Sequence, residues 1–184
     1  FLRKEAFNLL RPIAFKVFGN DLNKVRRHYG LSDKVDFREL YTDGSYTAYM
    51  DMDDFTCLES LPKNHFFLGP IIWNAKAQQQ RLDLKENNNI YISMGSTGND
   101  KLIEPIINAI LKTDSFIVLS GVSHDEKKEL LRKYPKLNTR SVIKKLIDPE
   151  KVLPHCRLTI CHGGSGTIYQ SLSHGTPVLC FPTN

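Results

Sequence analysis

The sequence predicts an α/β protein built on a parallel sheet with helices on both faces, and three observations carry that expectation. From residue 90 onward, short apolar runs (90–94, 116–119, 140–143 and 158–161) alternate with stretches of helical periodicity (100–111, 124–134 and 149–155). Three of these runs are largely apolar and 140–143 opens with Arg140-Ser141, and strand–helix alternation at this spacing implies a parallel sheet with helices on both faces. The last of them opens into a glycine-rich turn, Cys161-His162-Gly163-Gly164-Ser165-Gly166-Thr167, followed by a helical pattern over 168–174, Gly175 and an apolar run over 177–181.

That turn has the composition of an anion cradle. Glycines permit the positive φ angles that aim successive backbone N–H groups into one concavity. The start of the next helix adds unpaired N–H donors and the positive end of its dipole. Ser165 and Thr167 bring hydroxyls, and His162 brings an imidazole to the end of the strand. Three glycines can also serve only a tight turn, but such a turn does not call for His, Ser and Thr around one opening. Neither standard nucleotide fingerprint is present, since no G-x-x-x-x-G-K-[ST] occurs and Gly163-Gly164-Ser165-Gly166 fits G-x-G-x-x-G poorly. A second turn, Gly95-Ser96-Thr97-Gly98, lies between the strand at 90–94 and the next helix. It reads equally as a phosphate-facing loop and as a turn with an N-cap at Asn99 or Asp100.

Beyond these residues the chain resembles a family. His162-Gly-Gly-Ser-Gly-Thr167, then Gly175-Thr-Pro177 and Val178-Leu-Cys-Phe-Pro182, is similar to the donor-binding motif of GT-B glycosyltransferases related to the UDP-glycosyltransferases. Phe67-Leu-Gly-Pro70 resembles the end of that family's acceptor domain, and Ile90-Tyr-Ile-Ser-Met-Gly95-Ser96 the opening of its donor domain. The resemblance implies a GT-B, Rossmann-like architecture. Residues 1–70 would form the end of an N-terminal acceptor domain, 71–89 a polar linker, and 90–184 an incomplete nucleotide-sugar-binding domain.

It also implies an activity, which is hexosyl transfer from a UDP- or dTDP-sugar to an acceptor hydroxyl, inverting, with no metal and no cofactor beyond the donor. The acceptor would be a small molecule or a lipid. His162, Gly164, Ser165, Gly166 and Thr167 would hold the diphosphate, with Ser96 beside them. Gln170 stands where relatives carry a Glu that chelates the ribose hydroxyls, and an amide is the weaker partner there. Leu146 stands where relatives stack a Trp on the base, so an aliphatic surface and the Ile147 backbone would take that role. No catalytic base is expected in this chain, because in relatives it belongs to the early acceptor domain. Phe1-Leu-Arg-Lys-Glu reads as the middle of a helix, so the chain is expected to be an excerpt that does not turn over alone.

The first part of the chain fits the same plan. Apolar residues recur at helical spacing over 1–31, with Pro12 and Gly19-Asn20 predicting a kinked helix and then a second one. Short strands are expected at 46–50 and 64–68. Residues 74–89 are polar and read as linker or surface loop, not core. Asp51-Met52-Asp53 is a D-x-D, the metal-binding sign of the other large glycosyltransferase fold, GT-A, but it is short and leaves the turn at His162 unexplained.

Composition narrows the partners. Residues 1–68 carry 10 basic and 10 acidic side chains, so the whole net charge of +5 falls on 69–184. Lys127, Lys128, Arg132, Lys133, Lys136, Arg140, Lys144 and Lys145 form a basic segment, which reads first as a solvated helix face and a lysine-protected edge strand. Its functional reading is a field for anionic ligands or a lipid surface. Nucleic acid is not expected, because aromatics do not interleave with these charges. Cys57, Cys156, Cys161 and Cys180 lack C-x-x-C spacing and read as reduced thiols of a cytoplasmic protein. His28, His65, His124, His155 and His174 read as structural. The alternative from another class is a non-catalytic nucleotide-sugar-binding subunit of a split glycosyltransferase, held at a membrane by the basic segment. A plain dinucleotide-binding domain is disfavoured because no G-x-G-x-x-G follows the strand at 90–94.

Overall fold

The computed structural model describes residues 2–31, 35–56, 60–72, 82–96 and 98–182. The side chains of residues 2–6 and 9 lie outside that description, as do Cys57, Thr97 and most of the polar stretch after residue 72. The chain divides into two compact units, Phe1–Pro70 and Ile71–Asn184.

The first unit opens with α1 (Leu2–His28), which carries Pro12 inside it. Here the expected break into two helices does not occur. Proline forfeits one backbone hydrogen bond, and the turns on either side still hold the helix. Gly19 serves packing instead of interruption, since it is buried and a Cβ there would lie 3.7 Å from the Phe37 Cβ. The Asn23 amide fastens the returning chain, donating to the Val35 carbonyl at 3.1 Å and accepting from the Val35 N–H at 3.0 Å. Arg26 pairs with Asp43 at 2.8 Å, and the Phe15 and Phe37 rings stack 6.0 Å apart. Two short strands, β1 (Thr47–Tyr49) and β2 (His65–Phe67), pair in parallel with Thr47 opposite His65.

The second unit is a five-stranded, wholly parallel sheet of β3 (Asn89–Ser93), β4 (Phe116–Ser120), β5 (Ser141–Lys144), β6 (Cys156–Cys161) and β7 (Val178–Cys180). Its spatial order is β5-β4-β3-β6-β7. The chain winds outward from β3 through β4 to β5, then returns across the sheet to lay β6 on the other side of β3. Alternate residues of the strands face opposite layers. Ile90, Ile92, Ile117, Leu119, Ile143 and Ile160 pack beneath α2 (Ile103–Ile110), α3 (His124–Lys133) and the short α4 (Leu137–Arg140). Tyr91, Phe116 and Val118 face the other way, against Ile147, Val152 and Leu153, from the segment after β5 that includes the 3₁₀ turns Pro149–Lys151 and Leu153–His155. On that second face also lies α5 (Ser165–Ser173), held where the Ser171 hydroxyl meets Thr159 Oγ1 of β6 at 2.9 Å. Helices on both faces of a parallel sheet are therefore observed as expected, and α4 is an element the spacing did not show.

Local chemistry explains the boundaries. Ser123 and Glu126 form a reciprocal capping box at the start of α3, satisfying two N–H groups that the helix leaves open. Arg140 donates to the carbonyls of Leu111, Thr113 and Ser115, closing the end of α2. Lys133 pairs with Glu104, whose carboxyl is drawn below its ordinary range by the Lys133 and Tyr134 donors. Part of the basic segment is thus structural: Arg140 and Lys133 are committed to the fold, and Lys128 lies 3.9 Å from Asp125.

The polar stretch before β3 is more than linker. Leu82 and Leu84 pack on the second layer, and Asn89 is fully buried. A run of asparagines looks like loop because each amide usually seeks water, yet Asn89 finds its partners in the backbone. Its amide accepts from the Lys85 N–H at 2.9 Å and donates to the carbonyls of Lys85 and His155, both at 2.6 Å. Removing that amide strands three partly buried backbone groups, each worth roughly 1 kcal/mol. Asn89→Ala is expected to lower stability by about 3 kcal/mol in urea unfolding followed by circular dichroism, whereas a loss under 1 kcal/mol would show that water replaces the amide.

Candidate functional site

A doubly wound sheet opens a crevice where its winding reverses, at the carboxyl ends of the two strands on either side. Here those strands are β3 and β6. Beyond β3 runs Met94-Gly95-Ser96, and beyond β6 runs His162-Gly163-Gly164, so both turns predicted to face phosphate meet at the reversal point. Gly95 has φ +65° and Gly163 has φ +100°, conformations that bend each strand end sharply and that L side chains rarely adopt. Gly98 is constrained differently, since a Cβ there would stand 2.0 Å from the Met94 carbonyl oxygen. The turn after β3 folds back on its own strand too closely for any side chain at 98.

The His162 ring lies between the two turns. An ideal Cβ on Gly95 would fall 2.6 Å from its Cε1, and one on Gly164 would fall 2.8 Å from the same atom. The ring is half-buried, and at Cε1 it stands against two positions that carry no side chain.

Gly164 then serves as the N-cap of α5, in extended conformation with φ −67° and ψ 132°, and has no side chain of its own to close that helix end. Its carbonyl accepts the first helical bond from the Ile168 N–H at 3.1 Å. The amides of Ser165, Gly166 and Thr167 form the first turn, where a helix leaves its N–H groups to an outside acceptor and concentrates positive potential. No acidic residue occupies that turn to compete with a bound anion. Ser165 and Gly166 are exposed and Thr167 is half-buried.

Deeper in the helix, Ser171 is fully buried and donates to the Thr167 carbonyl at 2.8 Å while meeting Thr159 of β6. Buried Thr176 donates to the Leu153 carbonyl at 2.9 Å. The first hydroxyl fixes the helix on the sheet, and the second ties the loop after the helix to the 3₁₀ turn at Leu153. The sequence singled out none of them, because a Ser or Thr inside an apolar pattern shows no partner until the strands are placed.

The remaining predicted residues divide into near and far. Ser96 is exposed and adjoins Gly95, so the fold brings it to the His162 turn. Gln170 sits half-buried on α5, and its carbonyl accepts from Ser173 and from His174 Nδ1, each at 2.8 Å. Ile147 stands apart, beyond the carboxyl end of β5. The whole residue is 1% exposed and belongs to the core, whereas Leu146 beside it is 53% exposed. Thr97 lies outside the described residues.

A cavity of about 560 Å³ opens at the outer edge of β5 beside Lys127, Leu137 and Lys144. It has volume but no glycine turn and no open helix end, and it does not include the reversal point. Among the described residues, no group of three or more His, Cys, Asp or Glu side chains is placed to hold a metal ion.

With this geometry in view, comparison with known proteins decides the family. Residues 89–184, beginning with the first residue of β3, match the glycosyltransferase family 28 C-terminal domain. The chain belongs to glycosyltransferase family 28. A PGL/p-HBAD biosynthesis glycosyltransferase of Mycobacterium tuberculosis is 28% identical over 182 residues, covering 97% of this chain and 41% of that protein. A PGL/p-HBAD biosynthesis rhamnosyltransferase of Mycobacterium bovis is 27% identical over 97% of this chain and 39% of its own length. An inactive PGL/p-HBAD biosynthesis glycosyltransferase of the same species is 33% identical over 108 residues, 56% of this chain and 30% of that one. The family 28 chain therefore spans about two-fifths of the curated relatives it matches along its length.

Among solved structures, the glycotransferase of kitacinnamycin superposes with a TM-score of 0.64 at 18% identity, covering 98% of this chain and 49% of that one. The fold is that of GT-B glycosyltransferases. The GT-A reading of Asp51-Met52-Asp53 falls with that assignment, and Asp53 instead opens the 3₁₀ turn Asp53–Phe55.

Cysteine chemistry at the site is subdued by burial. Cys161 and Cys180 are opposite each other on β6 and β7 with sulfurs 3.9 Å apart, and burial pushes the Cys161 thiol up to about 11. Cys156, at the other end of β6, is pushed up to about 12. A thiol that stays protonated is a poor nucleophile and a poor metal ligand. Iodoacetamide at pH 8 is expected to label Cys156 and Cys161 at least tenfold more slowly than a free cysteine, as read by peptide mapping. Equal rates would show that these thiols are open to solvent and ionise normally.

Proposed function

We propose that the family 28 chain carries the donor site of a nucleotide-sugar-dependent glycosyltransferase, and that the turn from His162 to Thr167 holds the donor's diphosphate. The observation that supports this most is the meeting of two glycine turns, one imidazole and one open helix end at a single reversal point of a parallel sheet. Five groups there favour negative charge: the His162 ring, the Ser96 and Ser165 hydroxyls, and the amides of Gly166 and Thr167. A cationic or apolar ligand would find none of its preferred partners among them.

Transfer is a substitution at the anomeric carbon. An acceptor oxygen forms a bond to that carbon as the bond to the diphosphate oxygen breaks, and the configuration inverts. The acceptor's proton passes to a base that this chain is not expected to contain. Charge accumulates on the departing diphosphate, and donors already aimed at that position stabilise it more in the transition state than in the ground state. His162 supplies a hydrogen-bond donor or a partial cation there, and α5 supplies the field of its first turn.

Support for a UDP- or dTDP-sugar comes from the family resemblance, and the exposed Leu146 would form the base platform, with Ile147 buried beneath it. For an acceptor that is a small molecule or a lipid, support comes from the relatives, all named for PGL/p-HBAD biosynthesis. The split-subunit alternative keeps one point in its favour, an inactive relative. Against it, the match to the active relatives runs through residues ahead of the linker as well as behind it, as expected of one continuous enzyme.

Calorimetric titration of the chain with UDP, dTDP, GDP and NAD tests the reading. UDP or dTDP is expected to bind, and His162→Ala to weaken that binding about tenfold or more, the worth of a charge-assisted hydrogen bond. No binding of any nucleoside diphosphate, or an unchanged affinity in His162→Ala, would end the diphosphate assignment. Gln170 offers a second check, because a carboxylate grips ribose hydroxyls about twice as strongly as an amide. Gln170→Glu is expected to tighten UDP several-fold, and an affinity equal to or below that of the parent would remove Gln170 from the ribose site.

A further inference from the structure

We infer that Gly95 is a positioning residue for the His162 imidazole, so that the turn after β3 sets the aim of the phosphate-binding group carried by the turn after β6. This rests on the diphosphate reading of His162 above.

The slot around the ring has one wall from each turn. At Gly164 the missing side chain stands 2.8 Å from Cε1 and 2.9 Å from Nε2, and at Gly95 it stands 2.6 Å from Cε1 and 3.1 Å from Nδ1. These separations are below any ordinary carbon contact, so a methyl group at either position displaces whatever it meets. At Gly95 the three nearest atoms all belong to the imidazole, with no backbone among them. A ring at the end of a side chain swings more readily than a strand moves. The change therefore falls on the direction of His162 while the sheet keeps its packing.

Gly95 and Gly164 are 69 residues apart in sequence, and only the register that pairs Ser93 with Cys161 brings their turns face to face. A ring met at Cε1 by the backbone of both turns has few rotamers open to it. That confinement pre-organises the donor toward the position of the phosphate and avoids the cost of ordering it on binding.

Backbone strain has to be separated from ring contact, because Gly95 also has φ +65°. Gly121 is the control. It follows β4 in the same sheet with φ +94°, and nothing lies within 4 Å of a Cβ added there. Gly121→Ala introduces the strain without touching the ring.

Two readouts test the inference on the 184-residue chain. The first is UDP affinity in the parent, Gly95→Ala, His162→Ala, the double variant and Gly121→Ala. Gly95→Ala is expected to weaken UDP about tenfold or more, and the double variant to bind no worse than His162→Ala alone. Gly121→Ala should stay within twofold of the parent. An affinity within twofold of the parent for Gly95→Ala, or a full additional loss on the His162→Ala background, would overturn the inference, since sites that act through one group are not additive.

The second readout needs no nucleotide. In a carbon–proton spectrum of the six histidines, the His162 Cε1–H signal, identified by its absence in His162→Ala, should move in Gly95→Ala and hold in Gly121→Ala. A signal that stays in place in Gly95→Ala, or moves as far in Gly121→Ala, overturns the slot whatever UDP does. If the parent binds no UDP, the diphosphate reading fails and this signal alone judges the slot.

Discussion

The structure depends on one constraint, the reversal of winding between β3 and β6. A parallel sheet must bury both faces, so its strands are largely apolar and most of its polar chemistry is driven to the strand ends. Where the chain stops moving outward and crosses back, two of those ends stand side by side with no crossover helix above them. Into that gap this protein places glycines on both sides. The choice of glycine gives positive φ at Gly95 and Gly163, and it also leaves bare backbone against the His162 ring. Sheet topology, turn geometry and ring placement are thus one arrangement seen at three scales.

Rigidity around the site has a traceable origin. The helix that offers its first turn to an anion is held on the sheet by the buried Ser171 hydroxyl against Thr159, and the loop that follows it is tied down by Thr176 against the Leu153 carbonyl. The strand that begins the sheet is held by the buried Asn89 amide. Each is a polar group inside the core with its partners supplied, the condition under which such groups specify a structure without weakening it. A helix N-terminus fixed in this way keeps its amides aimed while the ligand is absent, which makes the electrostatic contribution available without reorganisation.

Much of the second unit was legible in the sequence, and for a physical reason. Strands buried on both faces are continuous apolar runs, and the phosphate turn packs its glycines, hydroxyls and histidine into seven consecutive residues. Local signals were therefore enough for β3 to β7, α2, α3 and α5. What escaped were contacts between residues distant in the chain. Asn89 looks like loop until Lys85 and His155 close around it. Gly95 looks like a turn residue until His162 arrives 67 positions later. Pro12 and Gly19-Asn20 looked like breaks in α1, but Gly19 is where Phe37 packs close, and packing overrode local preference. Strand order, which brings the two turns together, is itself long-range, so the site could be read as parts before it could be read as a place.

The most direct measurement of the central claim is a backbone amide spectrum of the chain recorded during titration with UDP. Perturbations are predicted to concentrate at Gly164, Ser165, Gly166 and Thr167 on one turn and at Gly95 and Ser96 on the other, with His162 between them. Perturbations that spare both turns and gather instead along the β5 edge, near Lys127 and Lys144, would contradict the account.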